Sequence, residues 1–261
     1  MIKVGVTGAL GRMGKEVIKT VINNPDMRLV CAIDKFETGL NVYESVAIES
    51  DIVKSIELNK PDIIVDFTEP SAVFQNAKTY LENKVKPVIG TTGLSNEQIE
   101  ELKKLSKQNN TGCLIAPNFA IGAVLMMMFA KTAAKYFNNA EIIELHHNQK
   151  KDAPSGTAIK TAQMMAEVNP DMQTGNIKDA EIIKGARGGL FNEKGRGNIN
   201  IHSVRMPGFV ASQEVIFGAN GQILTIKHDT SNRECFMSGV ELAIKYVYDN
   251  NDFIFGLENI L

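Results

Sequence analysis

A short apolar run, Ile2 to Val6, passes directly into Thr7-Gly8-Ala9-Leu10-Gly11-Arg12-Met13-Gly14, and an amphipathic stretch from Arg12 to Asn23 follows. Glycines at every third position between a strand pattern and a helix pattern let the backbone reverse sharply, and the helix must then pack back on the strand before it. That restricts the chain to an α/β layout. Leu29 to Ile33, Asp62 to Phe67, Val85 to Ile89 and Cys113 to Ala116 are further strand candidates, alternating with helical patterns over Ser71 to Asn83 and Asn96 to Gln108. The alternation predicts βαβ units around a parallel sheet. Ser95 and Gln98 have capping-box spacing, and Pro70 suits a first helical turn. Residues 36 to 60 predict a loop, a short strand and a short helix.

After Pro117 the character changes. A helix over Ile121 to Phe137, a strand over Glu141 to His146 and a helix over Thr157 to Val168 precede residues 185 to 198, which are rich in glycine and charge and lack hydrophobic periodicity. Ile199 to Arg205, Ser212 to Phe217 and Ile223 to His228 predict an antiparallel set of strands. Ser231 with Glu234 predicts a capping box that opens a final helix reaching Asp249. The expected fold is α/β in two domains. The first is a Rossmann-type parallel-sheet domain of residues 1–117, completed by a returning C-terminal helix, 228–261. The second, residues 118–227, is an α+β mixed-sheet domain.

With 28 basic and 30 acidic side chains and a net charge of −2, the chain offers no electrostatic case for nucleic acid or an anionic membrane. Its most apolar segment, Ala120 to Ala130, falls short of the roughly 20 residues that span a bilayer. Cys31, Cys113 and Cys235 lie far apart and predict reduced core thiols rather than disulfides or a zinc site. The first residues enter a strand at once, unlike a signal peptide, so the cytoplasm is the expected compartment. Small molecules and other copies of the chain are the expected partners.

The glycine turn stands where a dinucleotide site needs it. Gly8, Ala9, Leu10, Gly11, Arg12 and Met13 are its candidate contacts, because a close backbone and free N–H groups at a helix start suit a pyrophosphate. The G-x-x-G-x-x-G spacing is less diagnostic than G-x-G-x-x-G, and glycine turns also arise for packing alone. Asp34, 20 residues beyond Gly14, can accept from ribose hydroxyls, whereas Lys35 can hold a 2′-phosphate. NADH and NADPH both remain open. Gly90-Thr91-Thr92-Gly93 and Ala116-Pro117-Asn118-Phe119 follow strand ends, where ligands lie in open α/β sheets, although each alone also reads as an ordinary loop.

The densest chemistry lies between Glu144 and Thr157. On a strand His146 and His147 point to opposite faces, which argues against a shared metal, and no metal site is expected. One imidazole can donate a proton near neutral pH, and Lys150 supplies a cation or a second proton. Ser155, Gly156 and Thr157 start a helix whose N–H groups suit a carboxylate. A purely structural account makes His146 a core histidine, Lys150 and Lys151 solvated charges, and Ser155 a plain N-cap. The convergence of all these features favours a site. Met126-Met127-Met128 reads as helix core, and His202 and His228 as sheet residues.

Taken together these residues make the chain resemble the dihydrodipicolinate reductase family over essentially its whole length. The carriers are V-T-G-x-x-G-R-M-G at 6–14, G-T-T-G at 90–93, A-P-N-F at 116–119 and E-L-H-H-x-x-K-x-D-A-P-S-G-T-A at 144–158. The resemblance implies an oxidoreductase of lysine and diaminopimelate synthesis that reduces 4-hydroxy-tetrahydrodipicolinate with NADH or NADPH. It also implies a homotetramer whose second domain binds substrate and builds the oligomer. His146 and Lys150 would handle protons, while His147, Gly156 and Thr157 would bind substrate carboxylates. Many relatives carry glutamate and arginine at Asp34 and Lys35, and commonly histidine at Gln213, to which no catalytic role is given. Another nicotinamide oxidoreductase, or a nucleotide-sensing module without catalysis, would share the glycine turn but has no use for H-H-x-x-K with S-G-T.

Overall fold

The first apolar run forms β1 (Ile2–Thr7), buried at every position except Lys3. A central parallel strand is covered on both faces, which explains why its apolar run is continuous rather than alternating. The computed structural model describes residues 1–173, 188–193 and 196–261. Beyond the glycine turn, α1 (Arg12–Asn23) leads to β2 (Met27–Ile33), parallel to β1. A hairpin of β3 (Asn41–Tyr43) and β4 (Val46–Glu49) precedes α2 (Ile52–Asn59), one strand more than residues 36 to 60 predict. The alternation continues through β5 (Ile63–Asp66), α3 (Val73–Glu82), β6 (Lys86–Ile89), α4 (Asn96–Asn109) and β7 (Cys113–Ile115). The capping box at Ser95 and Gln98 forms, each side chain accepting from the other residue's backbone N–H. Pro70 lies in the turn ahead of α3 rather than in its first turn.

Next come α5 (Ile121–Ala133), β8 (Asn139–His146), α6 (Gly156–Val168), β9 (Gly188–Glu193), β10 (Arg196–Arg205), β11 (Ala211–Ala219) and β12 (Gln222–Thr230). The expected antiparallel set is only partly right. β11 is antiparallel to β8 and β12, but β10 runs parallel to β8. A crossover that includes α6 separates β8 from β10, and a crossover is what parallel pairing requires. Residues 188–193 and 196–198, which lack periodicity, nonetheless fall in strands, β9 lying antiparallel to β10 with a register shift between Arg196 and Ile199. Residues 185–187 and 194–195 of that stretch lie outside the described residues. α5 stops at Ala133, short of Phe137, where the Asn169 side chain donates to the carbonyls of Ala134 and Phe137 at 2.9 and 3.2 Å.

A short 3₁₀ turn, Arg233–Phe236, opens α7 (Met237–Asp249), and β13 (Phe253–Phe255) then pairs parallel with β7. Residues 228–261 are therefore a strand end, a helix and an edge strand rather than one helix. The capping box at Ser231 does not form, because Glu234 reaches Lys19 of α1 at 2.9 Å and Phe236 stands at the N-cap without a side-chain hydrogen bond.

The chain divides into two compact units, Met1–Ile121 with Arg233–Leu261, and Gly122–Asn232. In the first, the strand order β13-β7-β6-β5-β1-β2-β4-β3 reverses between β1 and β5, the topological switch point. Val73, Ala77 and Leu81 of α3 pack with Leu102, Ile89, Cys113 and Ile115 on one side of this sheet. Burial pushes the Cys31 thiol up to about 12, and among the described residues Cys31, Cys113 and Cys235 form no disulfide. In the second unit the sheet order is β12-β11-β8-β10-β9. Ala130, Ala158, Ala162 and Met165 cover its face of Ile142, Ile201, Val215 and Phe217. Met126 and Met127 are buried, as helix-core residues should be. Phe217 is fully buried with its ring 5.6 Å from that of Phe137. Phe217→Ala should therefore cost about 3–5 kcal/mol in urea unfolding, and a cost under about 1 kcal/mol would show that this core is not close-packed.

Candidate active site

The glycine turn is shaped by contacts that no side chain fits. Gly8 has φ +77°, and a Cβ there would lie 2.4 Å from the Phe67 carbonyl oxygen; one on Gly14 would lie 2.1 Å from the Gly8 oxygen. The start of α1 is thereby held against the strand ends. Gly11 caps it without a side-chain hydrogen bond and without an acid in the first turn, whereas Asp51, Ser95 and Ser155 cap α2, α4 and α6. Such a helix start suits an anion.

A cleft of about 480 Å³ opens there, at the ends of β1, β2 and β5 and so at the switch point; Gly8, Leu10, Gly11, Asp34, Lys35, Phe67, Thr68 and Glu69 are among its walls. This is within the range of small-ligand sites. Asp34 accepts from the N–H groups of Leu10 at 3.0 Å and Phe36 at 3.3 Å, so its carboxylate is fixed to the glycine turn. Lys35 pairs with Glu69 at 3.0 Å. Ala9 is buried beneath the turn, while Arg12 is exposed and Met13 half-buried on the first turn of α1.

The other predicted loops reach the same sheet edge. A Cβ on Gly90 would lie 2.0 Å from the Phe67 ring, which in turn meets Phe119 edge to face at 5.7 Å. Thr91 donates to Asp66 at 3.1 Å. Asp66 is fully buried and also accepts from Tyr80 Oη at 2.8 Å, from Asn76 Nδ2 at 3.1 Å and from the Thr68 N–H and Oγ1 at 2.9 and 2.7 Å. Burial and the Asp66 charge together push the Tyr80 hydroxyl well above its ordinary value. Ala116 donates to Ile89 at 3.0 Å, and Asn118 accepts from Ala120 at 2.9 Å; Thr92 and Pro117 are exposed. Sequence reasoning missed Asp66, Phe67, Thr68 and Glu69. The signal was present, since D-F-T-E spans the end of the strand candidate Asp62 to Phe67, the same sheet position at which G-T-T-G follows Ile89.

In the second unit β8 carries Glu144 and His146 on one face, two residues apart. Glu144 is fully buried. Its two oxygens accept from the Arg205 guanidinium at 2.7 and 2.8 Å and from Ser155 N–H at 3.2 Å, and Oε2 meets His146 Nδ1 at 2.5 Å. Arg205 arrives because β10 runs parallel to β8, in register with His146. The same guanidinium donates to the Asp152 carbonyl at 2.7 Å, and Lys150 Nζ pairs with the Asp152 carboxylate at 2.7 Å. Lys150 N–H donates to the His147 carbonyl at 3.2 Å and closes the turn. His146 and Lys150 thus belong to one connected group anchored at Glu144.

His147 follows directly after the end of β8, and its buried Nδ1 has no hydrogen-bond partner among the described residues. Ser155 caps α6 by accepting from Ala158 N–H at 3.2 Å; Gly156 beside it is exposed and Thr157 half-buried. Gln213, paired with Glu144 across the sheet, donates to Thr161 Oγ1 at 2.7 Å, which donates to the Thr157 carbonyl at 2.8 Å. It therefore braces the first turn of α6. His202 and His228 lie in β10 and β12, His202 against Glu141 at 2.8 Å. Glu144 and Arg205 were missed by sequence reasoning. The first had a signal in its i−2 position on the His146 face; the second, 61 residues away from Glu144, had none.

Two family models match this chain: dihydrodipicolinate reductase, N-terminus, over residues 2–119, and dihydrodipicolinate reductase, C-terminus, over residues 122–261. The chain belongs to the dihydrodipicolinate reductase family. A curated relative, the 4-hydroxy-tetrahydrodipicolinate reductase of Listeria innocua, is 51% identical over 99% of each chain. That of Oceanobacillus iheyensis is 48% identical over 100% of this chain and 99% of its own. The solved structure of dipicolinate-bound dihydrodipicolinate reductase from Paenisporosarcina sp. TG-14 is 47% identical, covers both chains fully and has a TM-score of 0.88. The cleft lies within the N-terminal family match, and the Glu144 group within the C-terminal one.

The Glu144 group makes a prediction about acid stability. Burial alone would raise the Glu144 carboxyl, but the hydrogen bonds from His146 and Arg205 outweigh it and hold the group at about 2, against an ordinary 4.5. A depressed carboxyl contributes stability that is complete above its unfolded pKa and is lost as pH falls toward the folded one. Between about pH 5 and pH 2 the native chain should therefore lose about 3 kcal/mol more unfolding free energy than Glu144→Gln. Parallel curves for the two proteins across that window would contradict the assignment.

Proposed function

We propose that this chain reduces 4-hydroxy-tetrahydrodipicolinate to tetrahydrodipicolinate and water with NADH or NADPH, in lysine and diaminopimelate synthesis. The observation that carries the reading is the buried Glu144 clamp, which joins His146 and Lys150 to the start of α6. Its weight comes from a chain about half identical, end to end, to curated reductases of that substrate. The dipicolinate of the Paenisporosarcina structure is itself a dicarboxylate.

The cleft residues fit a nicotinamide dinucleotide. The close backbone at Gly8 and Gly14 and the α1 start, capped by no side chain, suit its pyrophosphate. In this reading Gly8, Ala9, Leu10, Gly11, Arg12 and Met13 hold the phosphates, and Asp34 and Lys35 the adenosine ribose. Gly90, Thr91 and Thr92, with Ala116, Pro117, Asn118 and Phe119, border the nicotinamide end. When bound, the cofactor supplies a hydride.

The remaining work falls to side chains of the second unit. Substrate reduction leaves electron density that must be protonated, and a dianionic substrate needs cations and N–H donors. Glu144 engages His146 through Nδ1, which leaves Nε2 as the nitrogen for proton transfer. Lys150, steadied by Asp152, supplies the second proton-handling group. His147, whose buried Nδ1 has no partner among the described residues, and the Gly156–Thr157 helix start take the substrate carboxylates.

We assign the chain a homotetramer built on the second unit's sheet. Ile143, Leu145, Val204 and Ile216 alternate to the face opposite α5 and α6, and Ile223 on edge strand β12 is 78% exposed. We place it in the cytoplasm, where its three thiols would stay reduced. Among the described residues no helix is long and apolar enough to cross a membrane.

Two measurements check this. Purified protein supplied with the fresh condensation product of pyruvate and aspartate semialdehyde should oxidise NADH or NADPH, and absence of substrate-dependent oxidation with both cofactors would refute the activity. Lys150→Ala should lower kcat by about 10²–10⁴ while NADH affinity stays within about twofold; an unchanged rate would remove Lys150 from the chemistry.

A further inference from the structure

Among the described residues, the charged side chains in the cleft wall itself are Asp34, Lys35 and Glu69, with Arg12 outside it on the first turn of α1. Asp34 is fixed by two backbone N–H groups of its own loop and turn. Lys35 Nζ lies 3.0 Å from Glu69 Oε2 and 5.1 Å from the centre of the Phe36 ring. Glu69 is no loose surface residue, for the preceding Thr68 gives both its N–H and its hydroxyl to buried Asp66. Its backbone also accepts from the N–H groups of Ala72 and Val73 at 3.0 and 3.1 Å. The carboxylate is thus delivered to Lys35 from an anchored turn on the opposite wall of the cleft.

We propose that Glu69 is a specificity-determining residue, which occupies Lys35 and so turns this site from NADPH toward NADH. The proposal rests on the nicotinamide reading given above. Two carboxylates and one ammonium leave this end of the cleft with a local charge of −1, and a 2′-phosphate would bring about −1.5 to −2 more. Lys35 alone is the kind of residue that would hold that phosphate; beside Glu69 its charge is already met. NADH, which has no 2′-phosphate, needs only Asp34 on its ribose hydroxyls. The pair is exposed and holds little folding stability, so its removal leaves the fold intact.

The test is Glu69→Gln, which keeps the shape and removes the charge. In fluorescence titrations without substrate, the NADPH Kd should fall roughly five- to tenfold at low salt and the NADH Kd should stay within about twofold. The gain should shrink in high salt and vanish when Lys35→Gln is added. An unchanged NADPH Kd, an equal gain for both cofactors, or a full gain in the Lys35→Gln background would each overturn the proposal. If the unaltered chain binds neither cofactor, the nicotinamide reading itself fails, an outcome separate from binding that Glu69→Gln leaves unmoved.

Discussion

Glu144 is a carboxylate taken wholly out of water, and the second half of the molecule is organised by what keeps it charged. An unpaired buried carboxylate would be protonated or would destabilise the fold by several kcal/mol. Here a bidentate guanidinium, an imidazole and a backbone N–H meet its two oxygens. Each partner comes from a different part of the chain: Arg205 from β10, His146 from the same strand, Ser155 from the cap of α6. The parallel pairing of β8 with β10 is therefore more than a detail of topology. It delivers the guanidinium that helps the strand end carry an ionised acid beside a histidine.

The first half solves a comparable problem with backbone rather than charge. Gly8 and Gly14 allow contacts that any Cβ would forbid, so α1 begins directly at the strand ends. Beneath them a second buried carboxylate, Asp66, gathers donors from Thr68, Asn76, Tyr80 and Thr91. Loops that follow β5 and β6 are thereby tied to one point. Both halves use a fully satisfied buried acid to hold polar loops in place, a device that works only when every lone pair finds a donor.

Local features were legible in the sequence. The glycine turn, the strand ends at Gly90 and Ala116, the Ser95 capping box and the His146–Thr157 segment depend on residues a few positions apart, and they emerged where the pattern put them. Features that depend on distant partners did not emerge. Hydrophobic alternation marks a strand but carries no direction, so the pattern over Ile199 to Arg205 does not reveal that β10 runs parallel to β8. Ser231 has the right spacing for a cap, yet Glu234 is drawn to Lys19, more than two hundred residues away. Arg205 and Glu69 look like ordinary surface charges until the fold brings them to Glu144 and Lys35. Glu144 lay between these cases, visible by its alternation with His146 but meaningless without Arg205.

The role of the clamp turns on whether Glu144 acts through His146. The most direct measurement is a double-mutant cycle in kcat with Glu144→Gln, His146→Gln and the pair together. If the carboxylate serves to orient the imidazole, the double variant should be no slower than His146→Gln alone, because no imidazole remains to be oriented. Losses that multiply would contradict the account and give Glu144 a role of its own, independent of His146.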